Sequence, residues 1–108
     1  MEKGWIGIDL DGTLAEYDTW RGIEHIGNPV IPMVNTVKLW LDHGYRVKIF
    51  TARAVYGQSA IDIIHQWCEQ NSLPALEVTN IKDFAMIELW DDRCFRIETN
   101  TGRILSIQ

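Results

Sequence analysis

Two short apolar runs in this chain stop on aspartates, and that pattern constrains the fold more than any other feature. Trp5-Ile6-Gly7-Ile8 runs into Asp9, with Asp11 close behind it, and the run from Met86 to Trp90 ends on Asp91-Asp92. Short apolar runs bounded by turn residues read as strands, the first of them buried. Between them the periodicity changes. From Pro32 to His43, the residues Val34, Val37 and Leu41 fall on one helical stripe, with Pro32 suited to a first turn and Gly44 to the position past the end. Tyr45 to Thr51 reads as a second strand. Ser59 to Asn71 reads as a second helix, its stripe being Ile61, Ile64 and Cys68. Ala75 to Val78 is a short strand. Near the end, Asn100-Thr101-Gly102 reads as a hairpin turn between runs at 95–98 and 103–107. The order predicts an α/β domain: a mostly parallel sheet flanked by helices, followed by a C-terminal β-hairpin.

In an open parallel sheet, ligands bind beyond the carboxyl ends of the strands. The first strand ends in Asp9 with Asp11 in the following turn, the second ends in Thr51, and the fourth ends in Asp91 and Asp92. One rim thus receives four carboxylates and a hydroxyl. Like charges brought together repel unless a cation joins them. Carboxylate oxygens without sulfur or imidazole favour Mg²⁺.

The chain has 108 residues, which suits a single domain, and 46 % hydrophobic content is enough for a core. A net charge of −5 argues against binding nucleic acid along its backbone, though not against recognising one phosphate beside a metal ion. Cys68 and Cys94 form no metal-binding spacing. No apolar stretch approaches the roughly 20 residues that span a bilayer. These features lead us to expect a cytoplasmic protein with reduced thiols and no membrane partner. Five tryptophans in so short a chain lead us to expect mostly core positions, and a homo-oligomer to cover what remains.

Asp9-Leu10-Asp11-Gly12-Thr13-Leu14 resembles the first motif of the haloacid dehalogenase (HAD) superfamily. Thr51 in Ile49-Phe50-Thr51-Ala52-Arg53 resembles the second motif, Lys82 in Asn80-Ile81-Lys82-Asp83 the third, and Leu89-Trp90-Asp91-Asp92-Arg93 the fourth. The resemblance implies a HAD-like Rossmannoid fold and a Mg²⁺-dependent phosphomonoesterase. Asp9 would be the nucleophile that becomes an aspartyl phosphate, and Asp11 the general acid/base. An acid at Asp11 separates this chain from the dehalogenases, which lack one there, and from the P-type ATPases, which carry threonine. Thr51 would bond a phosphate oxygen and Lys82 would balance charge. Gly12 and Thr13 would turn the backbone so that its amides face the phosphate. Asp9, Asp11 through its carbonyl, and Asp91 or Asp92 would hold the metal, with Asp92 the favoured direct ligand of that pair. Arg53 would contact the substrate.

Many HAD phosphatases carry a cap domain that selects substrate. Here the gaps at 15–32 and 54–81 are too short to hold one, so the chain resembles a capless member. Trp20 and Arg21, with Tyr17 and His25 in the same loop, would then read the substrate. The chain also shares Asp-x-Asp-Gly-Thr-Leu, the arginine after the second motif and Asp-Asp-Arg with the phosphatase domain of bacteriophage polynucleotide kinase-phosphatases. A polynucleotide-end phosphatase is therefore one alternative. The other is a non-catalytic HAD-like binding or regulatory module.

Overall fold

The computed structural model describes residues 4–105. Its elements are β1 (Trp5–Ile8), α1 (Ile31–Asp42), β2 (Arg46–Phe50), a 3₁₀ turn (Ala52–Tyr56), α2 (Gln58–Gln70), β3 (Glu77–Thr79) and β4 (Met86–Trp90). The four strands form one all-parallel sheet in the order β3-β2-β1-β4. Successive strands β1, β2 and β3 step in one direction, and β4 is added on the other side of β1. The strand order therefore reverses at β1, the strand that delivers Asp9. Such a reversal opens the crevice in which open α/β sheets bind ligands.

Burial explains the elements. Every residue of β1 is buried, as a central parallel strand requires. Pro32 sits in the first turn of α1, where its missing N–H costs nothing, and Val34 and Val37 are buried from that helix. In α2 the buried residues are Ala60, Ile64, Trp67 and Cys68. The expected stripe is thus rotated slightly, with Ala60 and Trp67 turned inward and Ile61 only partly covered. Ile8, Ile49, Val37, Ile64 and Cys68 meet in the main cluster between sheet and helices, each with no exposed surface.

The sheet's connection back from β3 to β4 carries no helix. Trp5 anchors it, donating from Nε1 to Asp83 Oδ1 at 2.9 Å. Lys48 Nζ lies 4.4 Å from the Trp5 ring centre, and Phe50 packs beside it. Gly7 makes this possible: a Cβ there would stand 3.1 Å from the Trp5 ring and 3.0 Å from Met86. The thin covering leaves Ile81, Phe84, Ile87 and Leu89 exposed.

Three details depart from the sequence reading. The third strand begins at Glu77 rather than Ala75, because Leu76 turns into the core before the ladder starts. The hairpin is reduced to one antiparallel bridge, Ile97 to Ile104, outside the sheet, with Asn100 and Gly102 at positive φ; Ser106 and Ile107 lie outside the described residues. The tryptophans divide: Trp5 and Trp67 are buried, Trp40 is partly covered, and Trp20 and Trp90 are exposed. Cys68 is a buried core thiol and Cys94 an exposed one; both are free. Among the described residues, no helix is long and apolar enough to cross a membrane.

Candidate active site

The turn after β1 is built by its apolar residues. Leu10, Leu14 and Ala15 have no exposed surface and pin both ends of the turn to the core. Ala15 N–H and Leu14 N–H donate to Leu10 C=O at 2.8 and 3.0 Å, and Gly12 N–H donates to Ala15 C=O at 2.8 Å. Asp9 N–H donates to Trp90 C=O at 2.9 Å, which extends the β1–β4 pairing by one step. That bond places Asp9 directly beside Asp91 and Asp92. Gly12 is required twice over. Its φ of +93° is disfavoured for other residues, and a Cβ would stand 2.6 Å from the Asp92 carboxylate. Thr13 Oγ1 accepts from Asp92 N–H at 3.0 Å and lies 3.1 Å from Asp92 Oδ1 and 3.4 Å from Asp9 Oδ2, so its side chain ties the two acidic segments together.

Asp9, Asp91 and Asp92 each offer a carboxylate oxygen, and these oxygens lie within 4.8 Å of one another. None of the three makes an ion pair among the described residues. Burial first, then the neighbouring Asp91, Asp92 and Asp11, push the Asp9 carboxyl from 3.8 up to about 8. These three oxygen donors could hold a hard divalent cation.

This crowding has a measurable consequence. Folded Asp9 keeps its proton up to about pH 8, whereas the unfolded chain releases it near 3.8. Across that window the folded state holds more protons, so stability falls as pH rises. In metal-free buffer, Tm should decline between about pH 5 and about pH 8. Added Mg²⁺ should raise Tm most at the upper end, where protons no longer compete for the carboxylates. A Tm that climbs through this range would contradict the crowding.

Asp11 faces a different partner. Arg53 Nε donates to Asp11 Oδ2 at 2.8 Å and Nη2 to Oδ1 at 2.9 Å, a two-bonded pair. Arg53 is only 4 % exposed. Its remaining bonds go to the Ile23 carbonyl at 3.2 Å and the His25 carbonyl at 2.8 Å. One guanidinium therefore fastens the long loop at 15–32 to a carboxylate of the turn after β1. Arg53 also lines the cavity where it was expected to meet substrate, but four of its five side-chain N–H groups are bonded inside the protein. Thr51 is buried at the end of β2, and its Oγ1 accepts from Arg53 N–H at 3.1 Å.

A cavity of about 720 Å³ opens on these residues, lined by Asp9, Asp11, Thr51, Arg53, Asp91 and Asp92, and by Tyr17, Trp20, Phe50, Ala52, Val55, Tyr56, Asn80 and Arg93. Lys82, Arg21, His25, Gly12 and Thr13, all expected at the site, do not line it. Lys82 is exposed and lines no part of the cavity; Asn80, from the same connection, does. Arg21 pairs with Asp18 at 2.7 Å and lines a separate hollow. Among the described residues, Arg93 is the cavity-lining cation without a carboxylate partner. Its sequence signal was its place directly after the acid pair. Tyr56 and Val55 were missed because nothing in Ala52–Tyr56 announces a 3₁₀ turn that folds back over the rim.

No protein-family profile matches the chain, and no curated protein does. Among solved structures, the chain is similar to a conserved protein from Bacteroides thetaiotaomicron. The TM-score is 0.64 at 22 % identity, covering 82 % of this chain and 75 % of that one. That likeness supports the compact α/β architecture.

Proposed function

We propose that this chain is a capless, Mg²⁺-dependent phosphomonoesterase of the HAD type, working through a phosphorylated Asp9. The observation that carries this reading is the convergence of Asp9, Asp91 and Asp92 at the reversal of strand order, with Asp11 in the turn that follows Asp9. Asp9, Asp91 and Asp92 would hold the metal, with the Asp11 carbonyl as the further ligand suggested by the resemblance. When bound, the cation offsets the negative charge of the carboxylates and the phosphate.

The chain's own groups then divide the work. An Asp9 oxygen attacks phosphorus, forming an O–P bond as the bond to the leaving oxygen breaks. Asp11 donates a proton to that leaving oxygen, then takes one from the water that hydrolyses the acyl phosphate. This requires the Asp11 carboxyl to turn from Arg53 toward the substrate. The Thr51 hydroxyl is the donor for a phosphate oxygen; the amides of Gly12 and Thr13, expected to face the phosphate, are instead bonded to the Ala15 and Leu10 carbonyls. The charge-balancing role assigned to Lys82 passes to Arg93, which lines the cavity.

Phosphate release from p-nitrophenyl phosphate, with Mg²⁺ or with a chelator, tests the reading. Release that needs Mg²⁺ is expected. No release there or from a panel of sugar phosphates, nucleotides and phosphorylated oligonucleotides would favour a non-catalytic module. The exposed Phe84, Ile87 and Leu89 support the further proposal of a homo-oligomer. Light scattering that finds only monomer at micromolar concentration would remove it.

A further inference from the structure

The wall of the cavity beside the acids is aromatic. Tyr17 and Trp20 reach it from the long loop, and Tyr56 reaches it from the end of the 3₁₀ turn, 36 positions further along the chain than Trp20. Trp20 and Tyr56 are stacked, with ring centres 5.7 Å apart and planes inclined by 13°. Both rings remain open to solvent, at 45 % and 54 % exposure. Core rings stack to leave water, but these two stack at the mouth of a cavity and keep about half their surface free.

The pair is also fixed in relation to the chemistry. The Arg53 guanidinium carbon lies 4.9 Å from the Trp20 ring centre, and the same guanidinium grips both oxygens of Asp11. Its bonds to the Ile23 and His25 carbonyls hold the loop that carries Trp20. One buried side chain therefore ties the aromatic wall to the turn that carries Asp11. A site needs that arrangement when it must present a leaving group to an acid at a defined distance. The cavity's 720 Å³ lies within the range of small-molecule sites and far exceeds what a bare phosphate occupies.

We infer that the Trp20–Tyr56 stack, with Tyr17, is the leaving-group subsite of this centre, and that it takes a phosphomonoester bearing a flat ring, of the nucleoside monophosphate class. The inference rests on the phosphomonoesterase reading for its chemistry but not for its binding. A single nucleotide suits the site better than a strand end. A strand brings a row of phosphates, and the cavity offers only Arg53, already bonded, and Arg93 against a net charge of −5.

The test uses the full chain carrying Asp9→Asn, expected to bind without turnover, in Mg²⁺. Calorimetric titrations compare nucleoside monophosphates, ribose phosphate, inorganic phosphate and a phosphorylated oligonucleotide. The expected result is that at least one nucleoside monophosphate binds about ten-fold or more tighter than ribose phosphate. Tyr56→Ala should erase that preference and Tyr56→Phe should keep it. Equal affinity for nucleotide and ribose phosphate would overturn the subsite, as would failure of any nucleoside monophosphate to bind. Tighter binding of the oligonucleotide than of every mononucleotide would overturn the substrate class. Because these titrations read binding and not turnover, their outcomes stand apart from the wild-type hydrolysis assay, whose failure would strike the chemistry alone.

Discussion

Asp9→Asn is expected to abolish phosphate release while raising the Tm of the metal-free protein. The two effects share a cause. The Asp9 carboxylate is the proposed attacking atom, and losing such a group typically costs on the order of 10⁴-fold or more in turnover. The same carboxylate is crowded by burial and by Asp91, Asp92 and Asp11, which push it up to about 8. A neutral amide of nearly the same shape removes that repulsion. The gain should be largest near pH 8 and should vanish toward pH 4, where the native carboxyl is already protonated. The Mg²⁺-dependent rise in Tm should shrink with it. By contrast, Asp11→Asn should slow turnover by about 10²–10⁴-fold, the usual worth of general acid/base help. Near-normal turnover by Asp9→Asn would end the covalent mechanism.

Arg53→Met should produce the largest loss of stability of any single change at the site. Arg53 is 4 % exposed and makes four hydrogen bonds, two to Asp11 and two to loop carbonyls. Removing one partner of a buried ion pair leaves the other charge uncompensated and costs about 3–5 kcal/mol. Asp11 can regain some water, and the carbonyls of Ile23 and His25 can too once the loop lifts. Urea denaturation should therefore report a loss of about 3 kcal/mol, the lower end of that range. Arg53→Lys should not restore it, since a single ammonium cannot span both Asp11 oxygens and reach two carbonyls. The loop at 15–32 would come free with the change, so KM for a ring-bearing substrate should rise along with the fall in kcat. A loss below about 1 kcal/mol would place Arg53 with ordinary surface pairs.

The acidic rim could be read from the chain because it depends on local features. A fully buried β1 shows itself as an apolar run, and its end fixes where Asp9 lies; β4, though mostly exposed, also shows as an apolar run and so fixes Asp91-Asp92. The helices showed themselves through their stripes, although the inward set in α2 centres on Ala60, Ile64 and Trp67. What stayed hidden depends on long-range geometry. Arg53 and Asp11 are 42 residues apart, and no spacing rule distinguishes an arginine that reaches substrate from one that grips an acid. Lys82 sits on a connection whose course is set by Trp5 bonding Asp83, a contact across 78 residues. Tyr56 enters the cavity through a 3₁₀ turn ended by Gly57 at a φ of 78°. In each case the local sequence was compatible with more than one outcome, and tertiary packing chose.

The central claim is that phosphorus becomes bonded to Asp9, and chemical trapping tests it most directly. An activated ester such as p-nitrophenyl phosphate needs little acid help to depart, so an intermediate should build up when the Asp11→Asn variant, poor at activating water, is used with Mg²⁺. Acid quenching followed by borohydride reduction converts a phosphorylated aspartate to homoserine, which peptide mass spectrometry can locate. The expected result is homoserine at position 9, absent without substrate or Mg²⁺ and absent from Asp9→Asn. Wild-type phosphate release with no trapped residue at Asp9, or with the mark on Asp91 or Asp92, would contradict the account.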